Sequence, residues 1–265
     1  MLRIRFIVAT LLTALVVGVA LSAYSVFRAP QEASAPLQAI PLATETASAP
    51  SPTAPRATAT ASDATPTDAS AATTATSTGD AAGATAAAPI IMRIVPAESQ
   101  VRFVIDEVLN NVPKTVVGTT NQVAGEIAVD PADPTRSRVG VIQVNARTLT
   151  TDNEFRNRAI KNRILETDQY EFISFAPTQL LGLPQSAQIG QSYTFQIVGE
   201  LTIRDVTREV TFDVTVTPVS ATRLEGSAAT TIRYADFGIS IPRVPQVASV
   251  ADEVRLEIDF VAAPA

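Results

Sequence analysis

The chain has 265 residues, with 20 basic and 26 acidic side chains, a formal charge of −6, and no His, Cys or Trp. The missing residue types exclude Ser-His-Asp triads, cysteine nucleophiles, disulfides and ordinary zinc sites, so Asp, Glu, Lys and Tyr are the remaining acid–base groups and carboxylates the remaining metal ligands. An acidic chain without a basic cluster also argues against a nucleic-acid partner, and an enzyme is disfavoured from the start.

The first 28 residues have the pattern of a membrane signal. Arg3 and Arg5 precede an uncharged run of 22 residues from Phe6 to Phe27, which Arg28 ends. A membrane-spanning helix needs about 20 apolar residues, whereas the apolar core of a cleaved signal peptide has about 7–15. The length therefore favours an uncleaved anchor, formed by residues 1–28. The small residues around position 20 leave cleavage open. Arginines before the run favour a cytoplasmic N-terminus and an extracytoplasmic location for the rest of the chain.

Residues 29–89 are predicted to be a disordered linker. From Pro41 to Ala88, 40 of 48 residues are Ala, Thr, Ser or Pro. Such a segment has too few large apolar groups to offset the entropy lost when a chain becomes ordered. The density of Thr and Pro also argues against an Ala-rich helix.

Apolar and polar residues alternate with a period of two through much of residues 90–265, the predicted folded domain. Alternation of this kind gives each strand one buried and one solvated face, which is typical of antiparallel sheets. Five clear strands have the apolar faces Val101–Phe103–Ile105, Val123–Ile127–Val129, Tyr193–Phe195–Ile197–Leu201–Ile203, Val210–Phe212–Val214–Val216 and Val254–Leu256–Ile258–Phe260. Weaker strands around Arg138–Ala146, Glu171–Pro177 and Thr222–Tyr234 bring the total to about eight, which predicts an all-β barrel or sandwich.

One segment departs from this alternation. Between Asp152 and Glu166, apolar residues recur near helical spacing, and Asp152 or Asn153 is suitable as an N-cap. We therefore predict a short helix on a crossover, lying over one end of the barrel as a plug or a lid.

Five pieces of sequence, in this order along the chain, resemble motifs of the YceI-like family. The two most specific are Gly199–Val210 (GELTIRDVTREV), similar to G-x-L-T-I-x-G-V-T-x-x-V, and Ile232–Ile239 (IRYADFGI), similar to I-x-R-x-D-F-G-I with a shift of one residue. The other three are Ser99–Phe103, Tyr170–Phe175 and Val250–Leu256. The resemblance covers nearly all of residues 90–265 and none of the anchor or linker.

This resemblance implies a lipocalin-like antiparallel barrel of eight strands in an extracytoplasmic protein. It also implies a long amphiphilic ligand inside the barrel, such as a polyisoprenoid, an isoprenoid quinone or a fatty-acid derivative, with no catalysis and no cofactor. An eight-stranded barrel is just wide enough either to be filled by side chains or to hold one slender ligand. A filled barrel that acts as a cell-envelope stress or protein-interaction module is therefore the alternative.

The chain also departs from the family pattern. Histidines that many members carry after the first strand and in the helix are replaced here by the sequences Ile105-Asp-Glu-Val108 and Arg156-Asn-Arg-Ala-Ile160, and Asp205 stands where Gly is usual. The identity of the ligand therefore does not follow from the resemblance.

The inward-facing apolar residues are the candidate ligand-binding residues, although in most β proteins they would be plain core. They are Val101, Phe103, Ile105, Ile127, Ile173, Phe175, Tyr193, Phe195, Ile197, Leu201, Phe212, Phe237 and Leu256. Among the charged residues, four are interpreted as solvated acids at strand ends and not as a metal site: Asp106, Glu107, Asp252 and Glu253. Arg156 and Arg158 are interpreted as a solvated helix face, with contact to an anionic head group at the barrel mouth as the alternative. Arg233 and Asp236 are interpreted as a structural ion pair or a turn cap.

Overall fold

The computed structural model describes residues 28–42, 88–242 and 247–264. The predicted anchor residues 6–27 and most of the predicted linker lie outside the described residues. None of the helices in the described part of the chain is long and apolar enough to cross a bilayer.

The described residues contain thirteen strands in a single sheet. Their bounds are β1 (Ile90–Ile94), β2 (Gln100–Leu109), β3 (Val112–Thr120), β4 (Val123–Ala124), β5 (Glu126–Val129), β6 (Arg138–Val139), β7 (Ile142–Asn145), β8 (Phe172–Leu181), β9 (Tyr193–Ile203), β10 (Val206–Ser220), β11 (Arg223–Arg233), β12 (Val247–Val250) and β13 (Glu253–Pro264). Strand β1 and strands β4 to β7 are short because breaks interrupt longer strands, such as the 3-10 turn Pro96–Glu98 between β1 and β2.

These strands combine into eight longer ones whose pairings close on themselves. Four of the eight are interrupted strands, formed by β1 with β2, by β3 to β5, by β6 with β7 and by β12 with β13. The other four, β8 to β11, are unbroken. Each long strand pairs antiparallel with the next along the chain, and β13 pairs back with both β1 and β2. The predicted all-β fold of about eight antiparallel strands is therefore confirmed, in the order of an up-and-down barrel.

The predicted helix is also confirmed. Helix α1 (Glu154–Ala159) continues into a π-helical turn (Ile160–Ile164), and the side chain of Asn153 caps α1 by accepting from the Arg156 N–H at 3.0 Å. This segment joins β7 to β8. We call the end of the barrel that it covers the helix end, and the opposite end, formed by residues 182–192 between β8 and β9, the loop end.

Residues 28–42, all of which except Arg28 were predicted to belong to the linker, form an extended segment that contacts the barrel. We call this segment the strap. The backbone N–H and the hydroxyl of Ser34 donate to the carboxylate of Glu171, both at 2.8 Å, and the backbone N–H of Leu42 donates to Glu126 at 2.8 Å. Both carboxylates are largely buried, and each also has an arginine partner, Arg147 for Glu171 and Arg93 for Glu126. The strap therefore supplies hydrogen bonds to two acidic groups that would be costly to leave unsatisfied.

A glycine on the inner face of β9 allows an aromatic ring to lie against the sheet. A Cβ at Gly199 would lie 2.6 Å from both the Phe175 ring and the backbone oxygen of Ala176, and the backbone oxygen has little freedom to move. We expect Gly199→Ala to lower the free energy of unfolding by about 1–3 kcal/mol because of this overpacking. Urea unfolding measures the change. The control Glu200→Ala, at the exposed neighbouring position, should change the free energy of unfolding by less than about 0.5 kcal/mol. Equal effects of the two substitutions would contradict the close approach.

The contact of the strap with Glu171 should depend on pH. Partial burial acts to raise the pKa of Glu171, but the hydrogen bonds from Ser34 and Asn145 and the charge of Arg147 outweigh it, so the pKa is lowered on folding. A lowered carboxylate pKa contributes stability above the ordinary Glu value of about 4.3, and this contribution is lost as the pH falls through the folded value. We expect Ser34→Ala to lower the free energy of unfolding by about 0.5–1.5 kcal/mol near pH 7.

The difference in the free energy of unfolding between the wild-type chain and Ser34→Ala should shrink as the pH is lowered from 7 through the folded pKa of Glu171. Unfolding at a series of pH values measures this difference. Gln38→Ala, an exposed strap position, serves as the control and should show no such trend. A difference that stays constant down to strongly acidic pH would contradict the account.

Candidate functional site

The barrel encloses a cavity of about 400 Å³ whose wall is almost entirely apolar. The wall is formed by the inward faces of the strands, because alternate residues of a strand point to opposite sides of the sheet. This volume lies within the range of about 300–1,000 Å³ that is usual for small-molecule sites in proteins. An interior filled by side chains, the alternative expected from sequence, would leave no cavity of this size.

Twelve of the thirteen candidate residues lie on the cavity wall. They are Val101, Phe103, Ile105, Ile127, Ile173, Phe175, Tyr193, Phe195, Ile197, Leu201, Phe212 and Leu256. The period-two pattern found them because they belong to strands in which inward and outward positions alternate without interruption. Whether they contact a ligand stays a prediction.

Phe237 is the exception. It is buried, with 2% of its surface exposed, but it packs within the hydrophobic core and is not part of the wall. The reason is local, since β11 ends at Arg233 and Phe237 lies in the 3-10 turn Tyr234–Phe237, which ends at Gly238 with a φ of +65°. Alternation stops in such a turn, so the inward face of β11 does not continue to Phe237, and whether Phe237 contacts a ligand also stays a prediction.

The candidate binding residues did not include those at the two ends of the cavity. At the helix end, Arg156, Ile160 and Ile164 lie on the wall. Their spacing of four residues places them on one face of the helical segment, and this is the signal that could have found them. At the loop end the wall is completed by Leu183 and Pro184, which show no periodic pattern.

A buried ion pair lies on the wall at the helix end. Arg156 Nη2 lies 2.6 Å from Glu107 Oε1, and the two side chains are 18% and 8% exposed. Arg156 also pairs with Asp152, whose other carboxylate oxygen lies 2.5 Å from Lys114 Nζ. The hydrogen bond from Lys114, together with the charge of Arg156, lowers the pKa of Asp152. These four groups form a charge-balanced network that links the β2–β3 hairpin to the start of α1.

This network corrects two of the sequence interpretations. Glu107 is not a solvated acid, because it follows Val101, Phe103 and Ile105 on the inner face of β2. Arg156 is not on a solvated helix face but on the face turned toward the barrel. The two segments that depart from the family pattern are thus brought together, with a Glu–Arg pair as the only charged contact that joins them among the described residues.

The chemistry of this site is that of an apolar compartment inside the barrel. Within residues 28–42, 88–242 and 247–264, no group of three or more acidic side chains is placed to hold a metal ion. At the loop end, the Tyr193 hydroxyl accepts a hydrogen bond from the backbone N–H of Gln188 at 2.7 Å. The arrangement is suited to removing an apolar chain from water, which is favourable by about 25 cal/mol per Å².

Comparison with known proteins agrees with this architecture. A model of the YceI-like domain matches residues 92–262. No curated protein matches the chain significantly. The crystal structure of Burkholderia cenocepacia BcnA is similar, with a TM-score of 0.51 and 20% identity over 64% of this chain and 99% of that one. A polyisoprenoid binding domain from Saccharophagus degradans, implicated in plant cell wall breakdown, has a TM-score of 0.53 and 14% identity over 67% of this chain and 99% of that one. At these identities the likeness shows a shared fold.

Removal of the charge on Glu107 should destabilise the domain. We expect Glu107→Gln to lower the free energy of unfolding by about 1–3 kcal/mol, because Arg156 stays buried and loses a charged partner. Denaturant unfolding measures the change. Glu225→Gln is the matched control, since it removes an exposed partner of Arg223 at 2.8 Å and should cost no more than about 0.5 kcal/mol. If the two variants lose the same amount, the pair at the helix end is not buried as described.

Proposed function

The chain belongs to the YceI-like domain family, and we propose that its barrel is a non-catalytic binding domain that encloses one long apolar ligand. The observation that carries this proposal is the cavity of about 400 Å³ with its apolar wall. A compartment whose wall is almost entirely apolar recognises a ligand mainly by its shape and by the apolar surface that it buries.

A lipid with an extended hydrocarbon tail fits this compartment best. Each buried CH₂ group contributes about 0.8 kcal/mol, whereas association itself costs about 4–15 kcal/mol. Short apolar molecules therefore bind weakly, and a tail of many carbons is needed for stable binding. Polyisoprenoids, isoprenoid quinones and fatty-acid derivatives all have such tails, and the similar domain from Saccharophagus degradans is a polyisoprenoid binding domain.

The role proposed for the protein is carriage or storage of this lipid outside the cytoplasm. The arginines before the uncharged run of residues 6–27 support an anchor in the cytoplasmic membrane with the barrel on the far side. The cavity weakens the alternative of a filled barrel that acts only through its outer surface, because that alternative requires an interior occupied by side chains.

Binding should be reduced by filling the cavity. Ala228 lies on the wall, whereas Ala229, the next residue of β11, does not, because successive residues of a strand point to opposite sides of the sheet. We expect the wild-type chain to bind cis-parinaric acid, a fluorescent fatty acid, and a polyprenol to displace it. Ala228→Leu should weaken binding by about tenfold, corresponding to about 1.4 kcal/mol of overpacking, and Ala229→Leu should leave the affinity within about twofold.

Fluorescence titration of the three proteins tests this proposal. Absence of binding by a folded wild-type chain would contradict the proposed function. Equal weakening by both substitutions would contradict the assignment of the cavity as the binding site.

A further inference from the structure

The strap holds the start of the described chain beside the helix end of the barrel. The backbone carbonyl of Arg28 accepts from Asn162 Nδ2 at 3.0 Å, and the Arg28 guanidinium pairs with Asp168. The backbone N–H of Gln31 donates to the same carboxylate at 3.1 Å. Asn162 lies in the π-helical turn and Asp168 just after it. Residue 28 is therefore located at the helix end.

The contacts continue along the strap, so this location does not depend on its first residue alone. Arg147 Nη1 donates to the carbonyl of Glu32 at 3.1 Å, and Ser34 donates to Glu171. Further along, Leu42 donates to Glu126, and a Cβ at Gly140 would lie 3.1 Å from the Leu42 side chain. A segment bound at four separate places positions residue 28 relative to the barrel.

The surface of the helix end combines exposed apolar groups with basic groups. Phe155 in α1 is 68% exposed, and Val112 at the start of β3 is 62% exposed. The ion pair between Lys114 and Asp152 brings the hairpin that carries Val112 next to the start of α1. Of the basic side chains of residues 154–164, Arg156 is bound to Glu107 and Asp152, and the others are Arg158, Lys161 and Arg163. Large apolar groups among Lys and Arg are typical of surfaces that bind anionic bilayers.

We propose that the barrel rests with its helix end on the surface of an anionic membrane, held there by the strap. The uncharged run of 22 residues ends at Phe27, directly before the residue that the strap holds at the helix end. A bilayer spanned by that run would lie next to Phe155 and Val112. The strap, and not the length of residues 43–87, then sets the distance between the barrel and the membrane. This orientation rests on the membrane anchor of the proposed function but not on the lipid ligand, and its test requires no ligand.

The opposite end of the barrel provides a control position. Ile189 is 65% exposed in the loop between β8 and β9. Strands of about ten residues, at about 3.3 Å per residue, separate the two ends by roughly 30 Å. A group at Ile189 therefore lies far from a membrane that touches Phe155.

Depth-dependent quenching in vesicles tests the orientation. The chain has no Cys, so Phe155→Cys and Ile189→Cys each carry a single environment-sensitive fluorophore. The full chain is reconstituted in vesicles of phosphatidylcholine and phosphatidylglycerol that contain a nitroxide-labelled lipid. We expect a blue shift and quenching for the label at position 155 and neither change at position 189. Unfolding curves of the labelled variants establish that each is folded.

A second variant tests the strap itself. Ser34→Pro removes both the backbone N–H and the hydroxyl that bind Glu171, and in this background the quenching at position 155 should fall toward that at position 189. Gln38→Ala should leave the quenching unchanged.

Equal quenching of the two labels, or stronger quenching at position 189, would overturn the orientation. An unquenched label at position 155 would also overturn it and assign the exposed apolar groups to a protein partner. Undiminished quenching in Ser34→Pro would show that the strap does not hold the barrel in place.

Discussion

The closure of eight antiparallel strands into a ring is the constraint on which the rest of this structure depends. Closure makes every second residue of each strand face a common interior, and here those residues do not fill it. Gly199 is an example, since it leaves room for Phe175 to lie against the sheet and not across the interior. The apolar cavity, the position of Glu107 on its wall and the need for a cover at each end all follow from this geometry.

The second organising feature is the use of buried carboxylates to attach segments that lie outside the ring. Glu107 binds Arg156 and so attaches the helix that covers one end of the cavity. Glu126 and Glu171 accept hydrogen bonds from the strap, on the outer side of the same domain. A buried charge that keeps its partners is tolerated, whereas one that loses them is strongly destabilising. Each of these contacts therefore fixes a segment at a defined position. In this respect the strap differs from a linker that merely passes over the surface.

The parts of the fold that follow a simple repeat could be predicted from the sequence. The alternation of apolar and polar residues identified the wall residues in the strands, of which Val101 is the first and Leu256 the last. Helical spacing and the cap at Asn153 identified α1. Phe237 lies off the wall because a 3-10 turn breaks the alternation, and the apolar type of the residue does not reveal that break. The strap was missed for a related reason. Its contacts are made by backbone N–H groups and by Ser34 with carboxylates more than eighty residues away in the chain, and no local pattern indicates such partners.

The central claim is that the barrel encloses a long apolar lipid, and native mass spectrometry tests it most directly. The full chain is purified from the cells that produce it, with the strap present so that Glu126 and Glu171 keep their partners. Any bound molecule is extracted with organic solvent and identified. The account predicts one bound species per chain, with a long hydrocarbon tail such as that of an isoprenoid, a quinone or an acyl lipid. A mass of the protein alone, unchanged after such lipids are added, would contradict it.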